Sequence, residues 1–249
     1  MLATLKSEFR KLLSVRSTYI LTSLVIVAVG LIAYFLLGRE QEAMGATNPL
    51  FLYDAMDTAV SFFATFATIV AILHMTHEYR YSTIGYTLTA SRSRVRVIVA
   101  KTIVLVSYAL VGGALVAVLG GLLAKAGVES NGLTLAAQTI DLWPIIWQLG
   151  SYVIGYTLIG LLLGMLVRSV VGAIVIFFTF PIVEQMLTLL LKDNTKFLPF
   201  RSLEQIAAST QFGTSGQALT NAAALGVFAL YFAVIGMIAM VLFVRRDAN

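Results

Sequence analysis

The stretch TIVLVSYALVGGALVAVLGGLLA, residues 102–124, contains no Asp, Glu, Lys or Arg. A helix of this length, at ~1.5 Å per residue, crosses the ~30 Å hydrocarbon core of a bilayer. Five further stretches have the same apolar character, namely residues 18–37, 58–75, 143–167, 169–191 and 222–244. Of the six, only residues 169–191 contain an Asp, Glu, Lys or Arg, namely Glu184. The sequence therefore predicts an all-α membrane protein with six transmembrane helices.

The composition supports this fold class. Hydrophobic residues make up 59% of the chain and charged residues 12%, with a mean hydropathy of +0.91. Soluble domains usually contain about a quarter charged residues. The longest stretch outside the predicted spans, residues 192–221, is below the ~40 residues that a small independent core needs. We expect residues 1–249 to form one membrane domain, without room for a separate soluble catalytic domain.

Basic residues predict the orientation, because Lys and Arg near span ends are retained in the cytoplasm. With the N-terminus inside, twelve of the seventeen basic residues fall on the cytoplasmic side: Lys6, Arg10, Lys11, Arg16, Arg80, Arg92, Arg94, Arg96, Lys101, Arg168, Arg245 and Arg246. Both termini are then cytoplasmic. The net charge of +5 is explained by topology and by attraction to anionic membrane lipids, so no nucleic-acid partner is predicted.

The leader before the first span has an amphipathic pattern. Its apolar residues recur at helical spacing, at Leu2, Leu5, Phe9, Leu12 and Leu13. The basic residues Lys6, Arg10 and Lys11 occupy the other faces. This pattern is typical of a helix lying in the headgroup plane. An ordinary basic topogenic leader is the alternative.

The segment between the second and third spans is longer than a turn requires. Ser82 and Thr83 are suitable helix caps, and Ile84 and Leu88 are spaced i and i+4, so the sequence predicts a short cytoplasmic helix. The helix and its flanks concentrate apolar and aromatic side chains in water-facing sequence. Such residues anchor protein interfaces, and we expect them to face a protein partner. Tyrosines of the headgroup belt are the alternative interpretation.

Two motifs, LKSEFRKLL at residues 5–13 and EYRYSTI at residues 78–84, followed by Ser91, Arg92 and Lys101, resemble the permease subunits of type-two ATP-binding-cassette (ABC) exporters. The resemblance, which includes the six-span plan with both ends inside, covers essentially the whole chain. It implies that the leader is the interfacial connecting helix. It also implies that the loop forms a coupling helix that docks into an ATPase subunit. The coupling residues by this resemblance are Glu78, Arg80, Tyr81, Thr83, Ile84, Tyr86, Leu88 and Arg92.

The resemblance also implies the partners. No G-x-x-x-x-G-K-[ST] phosphate loop occurs, so the chain has no recognisable ATP site of its own. A separate ABC ATPase subunit would bind ATP-Mg, and a second permease copy, identical or related, would complete the pathway. The function implied is export of an amphiphilic or hydrophobic substrate across the plasma membrane of a prokaryote. No enzyme activity and no cofactor are predicted for this chain.

The last outer loop predicts short amphipathic helices. Apolar residues recur around Pro199, at Phe197, Leu198, Phe200, Leu203 and Ile206, and Gly213 and Gly216 follow. Similar permeases carry a re-entrant hairpin between the fifth and sixth spans, which implies an outer gate. An amphipathic loop that covers the end of the bundle is the alternative.

Polar residues inside the spans are candidates for the pathway or gate: Ser61, Thr65, Gln148, Tyr152 and Glu184, with Phe200 from the outer loop. Polar stripes also hold helices together, so packing is the alternative role. A buried carboxylate is costly, and Pro181, three residues before Glu184, predicts a local break in the helix. An ion-gradient-driven secondary transporter that uses Glu184 is the alternative function.

The triplet of His74, His77 and Glu78 has the helical spacing of metal ligands. Its order differs from H-E-x-x-H, and the chain has no further His and no Cys. We therefore predict no metal site and expect Glu78 to pair with a basic neighbour, Arg80 or Arg92.

Overall fold

The computed structural model describes residues 1–37, 50–91, 93–135, 142–208 and 219–245. Over these residues the chain forms nine α-helices and no strand. In chain order they are α1 (Leu2–Ser14), α2 (Arg16–Leu31), α3 (Phe51–Arg80), α4 (Ile84–Ser91), α5 (Arg94–Ser130), α6 (Leu142–Val167), α7 (Val170–Leu191), α8 (Pro199–Ala208) and α9 (Asn221–Arg245). A π-helical turn, Ile32–Leu37, continues α2, and a 3-10 turn, Lys192–Phe197, follows α7.

The prediction of an all-α protein with six spanning helices is confirmed. Six helices, α2, α3, α5, α6, α7 and α9, are long and apolar enough to cross a membrane. Two of them extend well beyond the predicted spans. The 30 residues of α3 and the 37 residues of α5 correspond to ~45 and ~55 Å of helix, more than the ~30 Å hydrocarbon core. Their polar ends are helical because other elements pack against them, which an apolar pattern does not reveal.

Helices α3 and α6 form the centre of the bundle. Across their most apolar windows, 61% of α3 and 50% of α6 is buried, compared with 11% for α7 and for α9. Glycines allow the central pair to approach closely. A Cβ at Gly160 of α6 would overlap the backbone carbonyl of Thr68 on α3, and one at Gly164 would lie 2.8 Å from Met75 Cβ. The GxxxG pair is therefore a packing surface between α3 and α6.

Three shorter helices attach to this bundle. The leader forms α1, which packs mainly on α5, and the loop between α3 and α5 contains α4. Helix α8 packs on α6 and α9 and is the amphipathic element of the last loop. The second arm of the predicted hairpin, with Gly213 and Gly216, falls outside the described residues. The predicted break at Pro181 is wrong, because α7 is one continuous helix with Pro181 inside it.

Candidate functional site: an ionic cluster that joins four helices

Five ionisable side chains meet where α1 crosses the ends of α3 and α5. We call this group the ionic cluster: Glu8 and Lys11 on α1, His74 and Glu78 on α3, and Lys101 on α5. Lys101 Nζ donates to Glu8 Oε2 and to Glu78 Oε1, both at 2.8 Å. The side chains of Lys101 and Glu8 are fully buried, so this lysine ties α1 to α3 without contact with solvent.

Lys11 links the ionic cluster to the short loop helix. Its Nζ donates to Glu8 Oε1 at 2.6 Å, to Glu78 Oε1 at 2.7 Å and to Thr87 Oγ1 at 3.0 Å. Thr87 lies on α4, so one ammonium group contacts side chains on three helices. Together the two lysines connect α1, α3, α4 and α5 at one end of the bundle.

The charges of the ionic cluster are balanced. Two carboxylates face two ammonium groups, and His74 Nε2 lies 3.2 Å from Glu8 Oε2. Burying two charged pairs is costly unless each charge has close partners of opposite sign. The short distances provide those partners, and removal of any one of the four charged members, Glu8, Lys11, Glu78 or Lys101, would leave an opposite charge without compensation.

Burial raises the pKa of the Glu8 carboxyl, but the close His74 ring and the charges of Lys101 and Lys11 outweigh it and hold that pKa well below its usual 4.5. For Lys11, burial lowers the pKa, but the carboxylates of Glu78 and Glu8 outweigh that effect and raise it above 10.5. Both groups therefore stay charged across the neutral range.

Sequence reasoning did not select Glu8 or Lys101 as members of a buried site. Each occupies the apolar stripe of its helix: Glu8 falls between the inward-facing Leu5 and Leu12, and Lys101 falls between the buried Ile98 and Val104. A charged residue at a buried position of an amphipathic pattern is the signal that identifies them. The expected pairing of Glu78 with Arg80 is corrected, because its partners here are Lys11 and Lys101. Arg92 falls outside the described residues.

Helix α4 is seated against the bundle by Ile84, which is only 2% exposed and packs with Leu12 and Met75. The expectation that Ile84 projects outward is therefore wrong. The exposed aromatic side chains are Tyr86, 79% exposed, and Tyr81, 64% exposed. Of the two predicted cap residues, Thr83 directly precedes α4 and accepts a hydrogen bond from the Thr87 N–H at 3.2 Å, while Ser82 adopts a left-handed φ of 53°.

The other predicted coupling residues surround the same surface. The Arg80 guanidinium lies over the Tyr81 ring at 5.7 Å, and Thr83 is exposed. Leu88 is within α4, but its side chain is outside what the structure describes. A cleft of about 630 Å³ separates α4 from the joint between α1 and α2; its lining includes Lys11, Ser14, Glu78, Tyr81 and Tyr86. Helix α4 therefore packs on the bundle through an apolar face, and aromatic side chains line the open cleft beside it.

Four of the predicted pathway residues, Gln148, Tyr152, Glu184 and Phe200, lie on or around α8. The Glu184 carboxylate, 2% exposed, accepts hydrogen bonds from the backbone N–H groups of Phe200 at 3.1 Å and Arg201 at 3.2 Å. These are N–H groups of the first turn of α8, which have no partner within the helix. A carboxylate is favoured there by the helix dipole. Glu184 thus caps α8 from α7.

Further residues join Glu184 in holding α8. We call the whole group the α8 anchor: Tyr53, Gln148, Tyr152, Tyr156, Glu184 and Phe200. Tyr53 donates to Gln148 Oε1 at 2.8 Å and lies 3.0 Å from the Ala207 carbonyl oxygen, which joins α3, α6 and α8. The Phe200 ring packs on Tyr156, with ring centres 5.6 Å apart, and Tyr156 packs on Tyr152 at 4.7 Å.

Ser61 and Thr65 of α3 are both half-buried. The side chain of Ser61 is hydrogen-bonded to that of Tyr152, which connects Ser61 to this group. Thr65 donates to the Ser61 carbonyl of its own helix at 3.3 Å.

The described residues contain no group of three or more His, Cys, Asp or Glu side chains that could hold a metal ion. His74 and Glu78 of the suspected triplet are members of the ionic cluster instead.

The profile of one protein family, described as "Protein of unknown function (DUF2705)", matches residues 19–248. The match begins at the fourth residue of α2 and covers the other five spanning helices completely, so it includes three members of the ionic cluster but not Glu8 or Lys11. A search of curated proteins finds no match.

Proposed function

Because the chain belongs to the DUF2705 family, whose description gives no activity, we propose its function from the fold and the two sites. We propose that it is the membrane-spanning permease subunit of an ABC exporter. In this proposal a separate ATPase subunit binds and hydrolyses ATP-Mg, and this chain converts the movement of that subunit into export of an amphiphilic or hydrophobic substrate.

The observation that supports the proposal most directly is the way α4 is attached to the bundle. Its buried face is fixed by Ile84, and its Thr87 hydroxyl is bonded to Lys11, while its Tyr86 and the nearby Tyr81, which precedes the helix, stay exposed. Exposed aromatic residues on a firmly held helix are the features of an interface anchor. A partner that binds these tyrosines would move α4 as a rigid body.

The ionic cluster then supplies the connection from α4 to the membrane. Displacement of α4 pulls on Lys11, whose other partners are Glu8 on α1 and Glu78 on α3. Lys101 extends the connection to α5. Since α3 is central in the bundle, movement at the loop would reach the helices that enclose a pathway.

The remaining parts of the proposal follow from the same scheme. A pathway needs a second permease copy, and the largely exposed apolar surfaces of α7 and α9 provide area for it. We place the loop helix, and with it both termini, on the cytoplasmic side of a prokaryotic plasma membrane, where the ATPase has access to ATP. α1 would lie along the surface of that membrane, and α8 would cover the outer end of the pathway as its gate.

The alternative, a secondary transporter that uses Glu184, has less support. A proton- or ion-coupling carboxylate must exchange its ligands during the cycle. Both oxygens of Glu184 accept backbone N–H groups of α8, which is the arrangement of a structural cap.

The test is purification of the tagged chain from its native membrane in mild detergent, with identification of stoichiometric partners. We expect an ATPase that carries a phosphate loop. The double variant Tyr81→Ala with Tyr86→Ala should weaken the complex about 30-fold, the effect of losing a ~2 kcal/mol interface anchor.

Trp143→Ala is the matched control, since Trp143 is an equally exposed aromatic residue, 76% exposed, at the opposite end of the bundle. It should leave the complex unchanged. A chain that purifies without an ATPase and still transports along an ion gradient would overturn the proposal. Equal loss with both variants would reject the assignment of α4.

A further inference from the structure

A groove of about 370 Å³ runs between α1, α2 and α5, away from the ionic cluster. Phe9 and Leu13 of α1 line one end, and Val111 and Leu115 of α5 line the other. From Ser107 to Leu115 the groove follows α5 for ~12 Å, close to the ~15 Å depth of one leaflet of a bilayer. Its length therefore matches the hydrocarbon part of a single lipid layer.

The wall of the groove offers almost no free polar atom. Thr22 Oγ1 and Tyr108 OH lie 2.7 Å apart, and Thr22 also donates to the carbonyl of Thr18. Ser107 donates to the carbonyl of Ile103. Phe63, which is fully buried, forms the floor of the groove. Its ring contacts α5 at Gly112, where a Cβ would overlap the ring. The groove is built for an apolar ligand.

The α1 end of the groove is basic. Lys6 and Arg10 are exposed and one helical turn apart, and each lies three residues before a groove residue, Phe9 and Leu13 respectively. No described residue forms an ion pair with either side chain. Their charges lie beside the groove mouth and have no ion-pair partner within the described part of the chain.

An apolar groove one leaflet deep, with two exposed cations beside its mouth, is complementary to one class of molecule. We propose that it binds an anionic phospholipid, with an acyl chain against Val111 and Leu115 and the phosphate at Lys6 and Arg10. The lipid would fix the face of α1 that lines the groove, as the ionic cluster fixes the other face of that helix. This inference is independent of the partner and the transport function.

The experiment is native mass spectrometry of the detergent-purified full chain, titrated with phosphatidylglycerol or with phosphatidylcholine of identical acyl chains. We expect one saturable phosphatidylglycerol site that is about 30-fold tighter, the effect of two basic side chains of ~1 kcal/mol each at an anionic headgroup. The double variant Lys6→Ala with Arg10→Ala should remove this preference. Lys125→Ala, an exposed basic residue far along α5, should retain it.

A second variant tests the groove itself. Val111→Trp fills it from an exposed position, so the core is undisturbed and both lipids should bind at least tenfold more weakly. Val118→Trp, two turns further along α5 and outside the groove, is the matched control. Equal affinity for the two lipids would overturn the proposal. So would unchanged binding in Val111→Trp, because the charges would then attract headgroups without a chain site.

Discussion

The ionic cluster and the α8 anchor solve the same problem in different ways. Each fixes a short amphipathic helix to the bundle. The ionic cluster meets α3 at Glu78 and the α8 anchor meets it at Tyr53, about 25 residues and ~38 Å of helix away. The ionic cluster uses charged side chains from three helices, centred on Glu8 and Lys101. The α8 anchor uses one carboxylate, Glu184, on backbone N–H groups.

The difference determines what each site loses when it is damaged. In the ionic cluster each carboxylate and each ammonium group compensates another charge, so removal of one leaves an unpaired ion. In the α8 anchor the partners of Glu184 are neutral amides, and its removal leaves unsatisfied hydrogen bonds only. We therefore expect the ionic cluster to be sensitive to any single change and the α8 anchor to be more tolerant.

The largest effect is expected from Lys101→Met. This change keeps the side-chain volume but leaves the buried carboxylates of Glu8 and Glu78 short of one cation, which should cost about 3–5 kcal/mol. Thermal unfolding in one detergent would measure it. The control is Lys125→Met, whose exposed pair with Glu129 spans 3.7 Å and contributes less than ~1 kcal/mol. Equal shifts in the two variants would show that the ionic cluster does not hold the bundle.

The next effect is expected from Glu184→Ala. Two N–H groups of α8 lose their acceptor, which should cost about 1–3 kcal/mol in the same unfolding measurement. Glu184→Gln retains an acceptor oxygen and should recover part of the loss. If Glu184→Gln instead abolishes transport at unchanged stability, the carboxylate serves the pathway and the two regions differ in function as well as in chemistry.

A smaller effect is expected from Tyr53→Phe, which removes the hydroxyl that bonds Gln148 and lies near the Ala207 carbonyl. Hydrogen bonds inside membrane proteins contribute ~0.6 kcal/mol on average, so the unfolding midpoint should fall slightly. Tyr231→Phe on the more exposed α9 should have no effect. A loss as large as that of Lys101→Met would contradict the ranking of the two regions.

The smallest effect is expected from pH. The lowered pKa of Glu8 means that its stabilisation is present above 4.5 and is lost only as the pH falls through a still lower value. The raised pKa of Lys11 means that its stabilisation is present below 10.5 and is lost only as the pH rises further. The attachment of α1 should therefore be constant from about pH 5 to pH 9.

A spin label on an introduced cysteine at Ala3 measures this attachment, because the chain has no other cysteine. The mobility of the label should not change across that pH range. A transition near neutral pH would show that the ionic cluster titrates and acts as a switch.

The sequence predicted the six spans and all three short helices, because each has an apolar period that is visible without any partner. It also selected Gln148, Tyr152 and Glu184, since they are unusual residues for an apolar span, but as candidates for the pathway; their place around α8 came only from the structure. It failed at the ionic cluster. Lys101 was interpreted as a basic residue at a span end, and Ile84 was interpreted as an outward anchor, because a helical period does not show which face meets a neighbour.

The sequence by itself thus determined the class of protein, through a physical requirement that applies along the chain: an apolar helix of ~20 residues is stable in a bilayer whatever surrounds it. Only the tertiary structure decided which charges are buried. Glu8, Glu78 and Lys101 are separated by up to 93 residues, and their pairing depends on how α1 crosses α3 and α5. Ion pairs form between groups that are a few ångströms apart in space, and positions in the sequence do not show which groups will be that close.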